Sequence, residues 1–196
     1  MARVLILHGW NNRRQEGNWH RRLASALRHQ GHQVIYPQFP NTDNPTVEQW
    51  QELLLAEIEL LQESGEGETI AVSHSLGCVN FMHAAVEGKI TKSFDRLLMV
   101  APADPALLAE IKGLNADLAK AQTAQALKKA AHSITLVGSD EDPWLPNGIE
   151  ETYAKPLGLP WVLMKGAGHF NLASGFSQWQ GVIDWINDPA ADITVR

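Results

Sequence analysis

Thr69-Ile70-Ala71-Val72-Ser73-His74-Ser75-Leu76-Gly77 is the stretch whose reading settles the architecture. Its first four residues have the apolar, β-branched character of a buried strand, and Cys78 to Val86 reads as a helix. A chain shaped only by packing would place an ordinary turn between the two. Here two serines and a histidine occupy the junction. A strand–serine–helix elbow exposes a hydroxyl at the edge of a sheet and aims a helix N-terminus at the group it attacks. Such a turn asks for small residues two places either side of the serine. Gly77 meets that demand, and Ser73 stands where glycine is usual. The competing reading makes Ser75 a simple helix cap.

Outward from the elbow, short apolar runs alternate with longer amphipathic segments. Strands are predicted at Arg3–Leu7, Gln33–Tyr36, Thr69–Ser73, Arg96–Ala101, Ser133–Val137 and Trp161–Met164. Val47, Trp50, Leu54, Ile58 and Leu61 recur every three or four residues and share one helix face, with Asn44-Pro45 as cap and first-turn proline. Leu23 and Leu27, followed by Gly31, predict a helix ended by glycine. This alternation predicts an α/β protein of about six mostly parallel strands with helices on both faces. No repeat or low-complexity linker divides the 196 residues, so one domain is expected over 1–196. The alanine- and lysine-rich segment 104–131 is either a helical cap or an extra surface helix, with Leu114 and Leu118 giving weak amphipathicity.

Composition narrows the function classes. A net charge of −6 argues against a nucleic-acid or anionic-membrane surface, and Arg13-Arg14 with Arg21-Arg22 make too short a basic cluster to insist on phosphate binding. The single Cys78 excludes an intrachain disulfide and suits a reducing compartment. The apolar run in the first ten residues is too short for a signal-peptide core or a membrane span, so a cytoplasmic protein is expected. No strand is followed by a G-x-G-x-x-G or G-x-x-x-x-G-K loop, and neither H-E-x-x-H nor paired C-x-x-C occurs.

Ligands of open parallel sheets sit beyond the carboxyl ends of the strands. Those ends carry His8-Gly9-Trp10, Ser75, Asp104, Asp140 with Asp142, and His169 in turn. A serine hydroxyl needs a neighbouring base. Among eight histidines, His20 and His29 fall within the first helix and His32 borders the second strand, and all three read as surface residues. His83 is too far along its helix, His132 lies at the wrong end of the sheet, and His74 should point to the other side of the elbow. His8 is held in reserve. His169, on the glycine-rich loop Gly166–Phe170, is the chosen base. Asp142, made rigid by Pro143, is its predicted orienting carboxylate, with Asp104 as rival. The order Ser75, Asp142, His169 is that of nucleophile-elbow enzymes. The backbone N–H groups of Leu76 and Trp10 are the expected oxyanion donors. Trp10, Trp144 and His74 are the substrate-binding candidates, the two tryptophans as walls of an apolar acyl pocket. Trp50, Trp161, Trp179 and Trp185 are assigned to packing, and Cys78 is a buried thiol without a catalytic role.

His8-Gly9-Trp10, Gly17-Asn18-Trp19-His20, Ser73-His74-Ser75-Leu76-Gly77, Asp142-Pro143 and Gly168-His169-Phe170 together resemble the small serine hydrolases related to retinoblastoma-binding protein 9, a compact branch of the α/β-hydrolase fold. The resemblance implies a Ser75–Asp142–His169 triad without metal or organic cofactor, and a small-molecule acyl substrate. Members are associated with carboxylesterase and with aminopeptidase-like activity, so esters, thioesters and amides all qualify. The family also tolerates serine before the nucleophile. Its L-x-C-x-E motif is absent, because Leu76-Gly77-Cys78-Val79-Asn80 ends in asparagine, so no retinoblastoma-type partner is implied. The alternative is a catalytically idle ligand-binding or protein-interaction module on the same scaffold. Neither the substrate nor the oligomeric state follows from the residues.

Overall fold

In the computed structural model, which describes residues 1–63, 65–115, 117–118 and 120–196, six strands pair in the order β2-β1-β3-β4-β5-β6. They are β1 (Ala2–Leu7), β2 (Gln33–Ile35), β3 (Glu68–His74), β4 (Phe94–Val100), β5 (Ala131–Gly138) and β6 (Trp161–Leu163). Every neighbouring pair is parallel. The helices are α1 (Trp19–His29), α2 (Val47–Glu63), α3 (Leu76–Val86), α4 (Ala121–Ala130), α5 (Lys155–Leu157), which continues a π-helical turn at Glu150–Ala154, and α6 (Gln180–Asn187).

Side-chain parity builds two cores. Leu5 and Leu7, Ala71, Leu97 and Met99, and Leu136 face α2, α3, α4 and α5. Val4 and Ile6, Ile70 and Val72, Leu98 and Val100 face α1 and α6 on the other side. Strands covered on both faces need apolar residues at both parities, which is why these runs lack alternation. From Leu76 to Ala85, α3 is buried throughout, as its mostly apolar circumference requires.

The helix ends follow local chemistry. Gly31, at φ 86°, closes α1 in a Schellman arrangement: its N–H donates to Arg28 O at 3.1 Å and that of His32 to Leu27 O at 3.0 Å. The predicted cap of α2 at Asn44-Pro45 is displaced, because the Thr46 hydroxyl accepts from Gln49 N at 3.3 Å and the helix begins at Val47.

Within 104–131, Leu114 and Leu118 precede the helix instead of lying on it, and Ala116 and Ala119 lie outside the described residues. The helix is α4, which buries Thr123, Ala124, Leu127 and Ala130. The chain before it is tied down by Val47 N donating to Lys112 O at 3.1 Å and Asn115 N donating to His83 Nε2 at 2.8 Å.

The chain runs from β1 outward to β2 and then returns to β3 on the opposite flank of β1. Connections leaving β1 and β3 therefore diverge, and a crevice opens at their carboxyl ends. Gly9 and Ser75 stand there.

Candidate active site

Ser75 joins β3 to α3 with φ 53° and ψ −123°, a conformation that non-glycine residues hold only at a cost of about 1–3 kcal/mol. The surroundings fix it. Its N–H donates to Val100 O at 3.0 Å, and its own carbonyl accepts from Cys78 N at 3.0 Å. A Cβ added at Gly9 would lie 2.7 Å from Ser75 Cβ, and one at Gly77 would lie 2.7 Å from His8 O. Both glycines are thus required by close approach of the first loop to the elbow. At the position usually given to glycine, the Ser73 hydroxyl is accommodated by donating to Leu98 O at 3.2 Å.

His169 Nε2 lies 2.7 Å from Ser75 Oγ, and Nδ1 lies 2.8 and 2.9 Å from the two Asp142 oxygens. All three residues are buried. A carboxylate can only accept, so Nδ1 carries the proton and the Nε2 lone pair receives the serine O–H. Trp144 N donates to Asp142 Oδ1 at 2.9 Å and holds the carboxylate in a turn around Pro143. The histidine loop is pinned along its length. Gly166 N donates to Asp140 Oδ1 at 2.8 Å, Ala167 N to Ser139 Oγ at 3.1 Å and His169 N to Ser174 Oγ at 3.1 Å. The Trp19 indole donates to Phe170 O at 2.8 Å.

The rival residues lie elsewhere. Asp104 caps the 3₁₀ turn at Pro105–Leu108, accepting from Ala106 N at 2.9 Å. His8 uses both ring nitrogens, Nδ1 donating to Gly9 O at 2.8 Å and Nε2 accepting from Phe39 N at 2.9 Å; burial lowers its pKa to about 4. His20 is a correction: it is buried, not a surface residue. Its place three residues before Leu23 puts it on the inward stripe of α1, its ring stacks on Trp19 at 3.7 Å, and burial holds its pKa well below 6.5. His74 Nε2 donates to His169 O at 2.9 Å, and burial lowers its pKa to about 3. Burial pushes the Cys78 thiol up to about 12, the state of an inert core cysteine. Trp50, Trp179 and Trp185 pack in the core as predicted, with Trp161 partly buried at its margin.

A cleft of about 230 Å³ opens onto Ser75 and His169. Trp10 and His74 line it. Trp144 does not; it stands 6.0 Å behind the Trp10 ring and 6.2 Å from that of His169. Besides the apolar surface of Trp10, Leu172 and Ala173, the lining carries carboxamides, from Asn11, Asn12, Gln15, Asn18 and Asn171. Sequence reasoning missed these residues, and Ser174 with them. The visible signal was the polar, turn-forming run between β1 and α1, whose side chains look like loop chemistry until the fold sets them beside the serine. Leu76 N, on the first residue of α3, has no helical carbonyl to bond, and neither it nor Trp10 N donates to a backbone carbonyl among the described residues. No three His, Cys, Asp or Glu side chains among the described residues gather as metal ligands.

The serine hydrolase family model matches residues 4–188. No curated protein sequence matches the chain. Among solved structures, the ydeN gene product of Bacillus subtilis is similar with a TM-score of 0.74 at 21% identity, covering 95% of this chain and 97% of that one. A ydeN-like hydrolase from Pectobacterium atrosepticum gives 0.70 at 17% identity, over 95% and 89% of the two chains. A structure described with LipS and LipT, two metagenome-derived lipolytic enzymes, gives 0.65 at 16% identity, over 96% and 92%. At these identities the neighbours speak for the α/β-hydrolase fold, and with the family match across nearly the whole length, the chain belongs to the serine hydrolase family.

Proposed function

We propose that the protein hydrolyses small esters, thioesters or amides, carboxylic esters foremost, through an acyl-Ser75 intermediate. The observation that carries this reading is the unbroken hydrogen-bonded row from Ser75 Oγ through His169 to Asp142, set on a strained elbow at an open cleft. As Ser75 Oγ attacks the substrate carbonyl, its proton passes to His169 Nε2. The resulting imidazolium is stabilised by Asp142, which stays ionised. The N–H groups of Leu76 and Trp10 receive the oxyanion, a donor pair of which each member is typically worth about 2.7–4 kcal/mol. Collapse expels the alcohol, thiol or amine, protonated by His169, and a water then repeats the sequence on the acyl-serine. Trp10 and His74 contact the substrate from the cleft wall, and Trp144 acts through Trp10 and through Asp142. A cytoplasmic setting is proposed on the lone thiol of Cys78, which suits a reducing compartment.

The test is steady-state hydrolysis of p-nitrophenyl acetate by wild type, Ser75→Ala and His169→Ala. Turnover by wild type with losses of about a thousandfold or more in each variant is expected. Absence of wild-type turnover, or variants as active as wild type, would overturn the reading.

A further inference from the structure

The carboxamides of the cleft are not free to face either way. Asn12 Oδ1 accepts from Arg14 N at 2.8 Å, Gln15 Oε1 from Arg13 N at 3.3 Å, Asn18 Oδ1 from His20 N at 3.0 Å and Asn171 Oδ1 from Ser174 N at 2.9 Å. Each partner is a backbone N–H, which can only donate, so the orientation of all four amides is fixed. Asn18 and Asn171 have their second lone pairs taken as well, by the His20 ring at 2.6 Å and the Ser174 hydroxyl at 2.9 Å. What remains is four NH₂ groups without a partner among the described residues. Asn11 is turned the other way, with its NH₂ suited to Thr42 O and Asp43 Oδ1, so it adds one acceptor.

We infer that the substrate is a short-chain ester whose remaining surface is rich in oxygen acceptors and carries no charge, with acylated carbohydrates as the chemical class that fits. This rests on the hydrolase reading above and narrows it. Donor groups in this number are complemented by ester carbonyls and ring oxygens. The lining holds no arginine or lysine to neutralise an anion. A cleft of about 230 Å³ is also smaller than the roughly 300–1,000 Å³ usual for larger ligands. A long acyl chain would outgrow this small cleft and lay methylenes against amide N–H groups, losing part of the benefit of burial.

The experiment compares acetate release from methyl 6-O-acetylglucopyranoside and from cyclohexylmethyl acetate, each a single primary acetate on a six-membered ring, which differ in their oxygen acceptors. Cyclohexylmethyl octanoate and cyclohexylmethyl monosuccinate probe length and charge. Asn18→Asp and Asn171→Asp keep the capping oxygen and remove the NH₂, so the fold is retained. Wild type should favour the acetylated sugar at least tenfold in kcat/KM, and the preference should shrink about threefold or more in each variant. A preference for the octanoate or the succinate, no preference, or a preference unchanged in both variants would overturn the inference. Labelling of Ser75 by a fluorophosphonate in the same samples separates the two failures. Labelled enzyme without the preference sinks only this inference, whereas unlabelled enzyme sinks the hydrolase reading beneath it.

Discussion

Ser75 is placed by its neighbours' lack of side chains as much as by its own chemistry. Gly9→Ala puts a methyl group 2.7 Å from Ser75 Cβ, inside any tolerable contact, so the elbow or the first loop must shift. Because about 1 Å of displacement can cost a hundredfold in rate, this variant should keep its circular dichroism spectrum and lose most of the proposed hydrolytic turnover. Unchanged kcat would show that the approach is not needed. Asp142→Asn frees His169 to adopt the wrong tautomer and should lower kcat by roughly ten-thousandfold with little change in KM. A loss under tenfold would remove Asp142 from the proposed role. That Ser75, Asp142 and His169 come together was legible because a hydroxyl, a carboxylate and an imidazole at strand ends are what the proposed chemistry requires. His20 was not, since a histidine's apolar ring on the inward stripe of a helix looks the same in sequence as one facing water.

At the scale of elements, the strands were legible from continuous apolar runs, every end falling within two residues of that observed. Caps and crossovers were less so. Asn44-Pro45 and Thr46 are all good helix-start chemistry, and only the geometry of the incoming chain selects Thr46. Likewise, the spacing of Leu114 and Leu118 imitates a helix in chain that instead precedes α4, with Leu118 buried in the core and Leu114 packed partly against it. Tertiary partners decide such cases. The clearest example is Arg96, where the predicted strand began and which the structure places two residues inside β4. Its guanidinium donates to both carboxylate oxygens of Glu68 at 2.5 and 2.7 Å and to the carbonyls of Trp185 and Ile186 at 2.6 and 2.7 Å, closing the end of α6. Arg96→Ala leaves those carbonyls buried without donors and should destabilise the protein by about 3 kcal/mol in urea unfolding. A loss below about 0.5 kcal/mol would mean that α6 is held by packing alone.

Across the whole molecule, the divergence of connections around β1 and β3 creates the crevice, and His8, His20 and His74 are buried around it. Burial lowers the pKa of each below 6.5, to about 4 for His8 and about 3 for His74. Between pH 6.5 and about 4 the unfolded chain therefore binds more protons than the folded one, and stability falls as pH drops through that window. Equilibrium unfolding measured from pH 7 to 4.5 should show linked proton uptake, up to about one proton from each of these three rings, with a further contribution from His83, whose pKa burial also lowers. A pH-independent midpoint would contradict the buried, neutral state of these rings.

The central claim is that Ser75 is a nucleophile made reactive by His169. Intact-protein mass spectrometry after brief exposure to a fluorophosphonate tests it most directly, with the adduct mapped by peptide fragmentation. A single adduct on Ser75 in wild type, absent from Ser75→Ala and slowed by orders of magnitude in His169→Ala, is the expected result. No adduct in wild type, an adduct on another residue, or equal labelling rates in wild type and His169→Ala would contradict it.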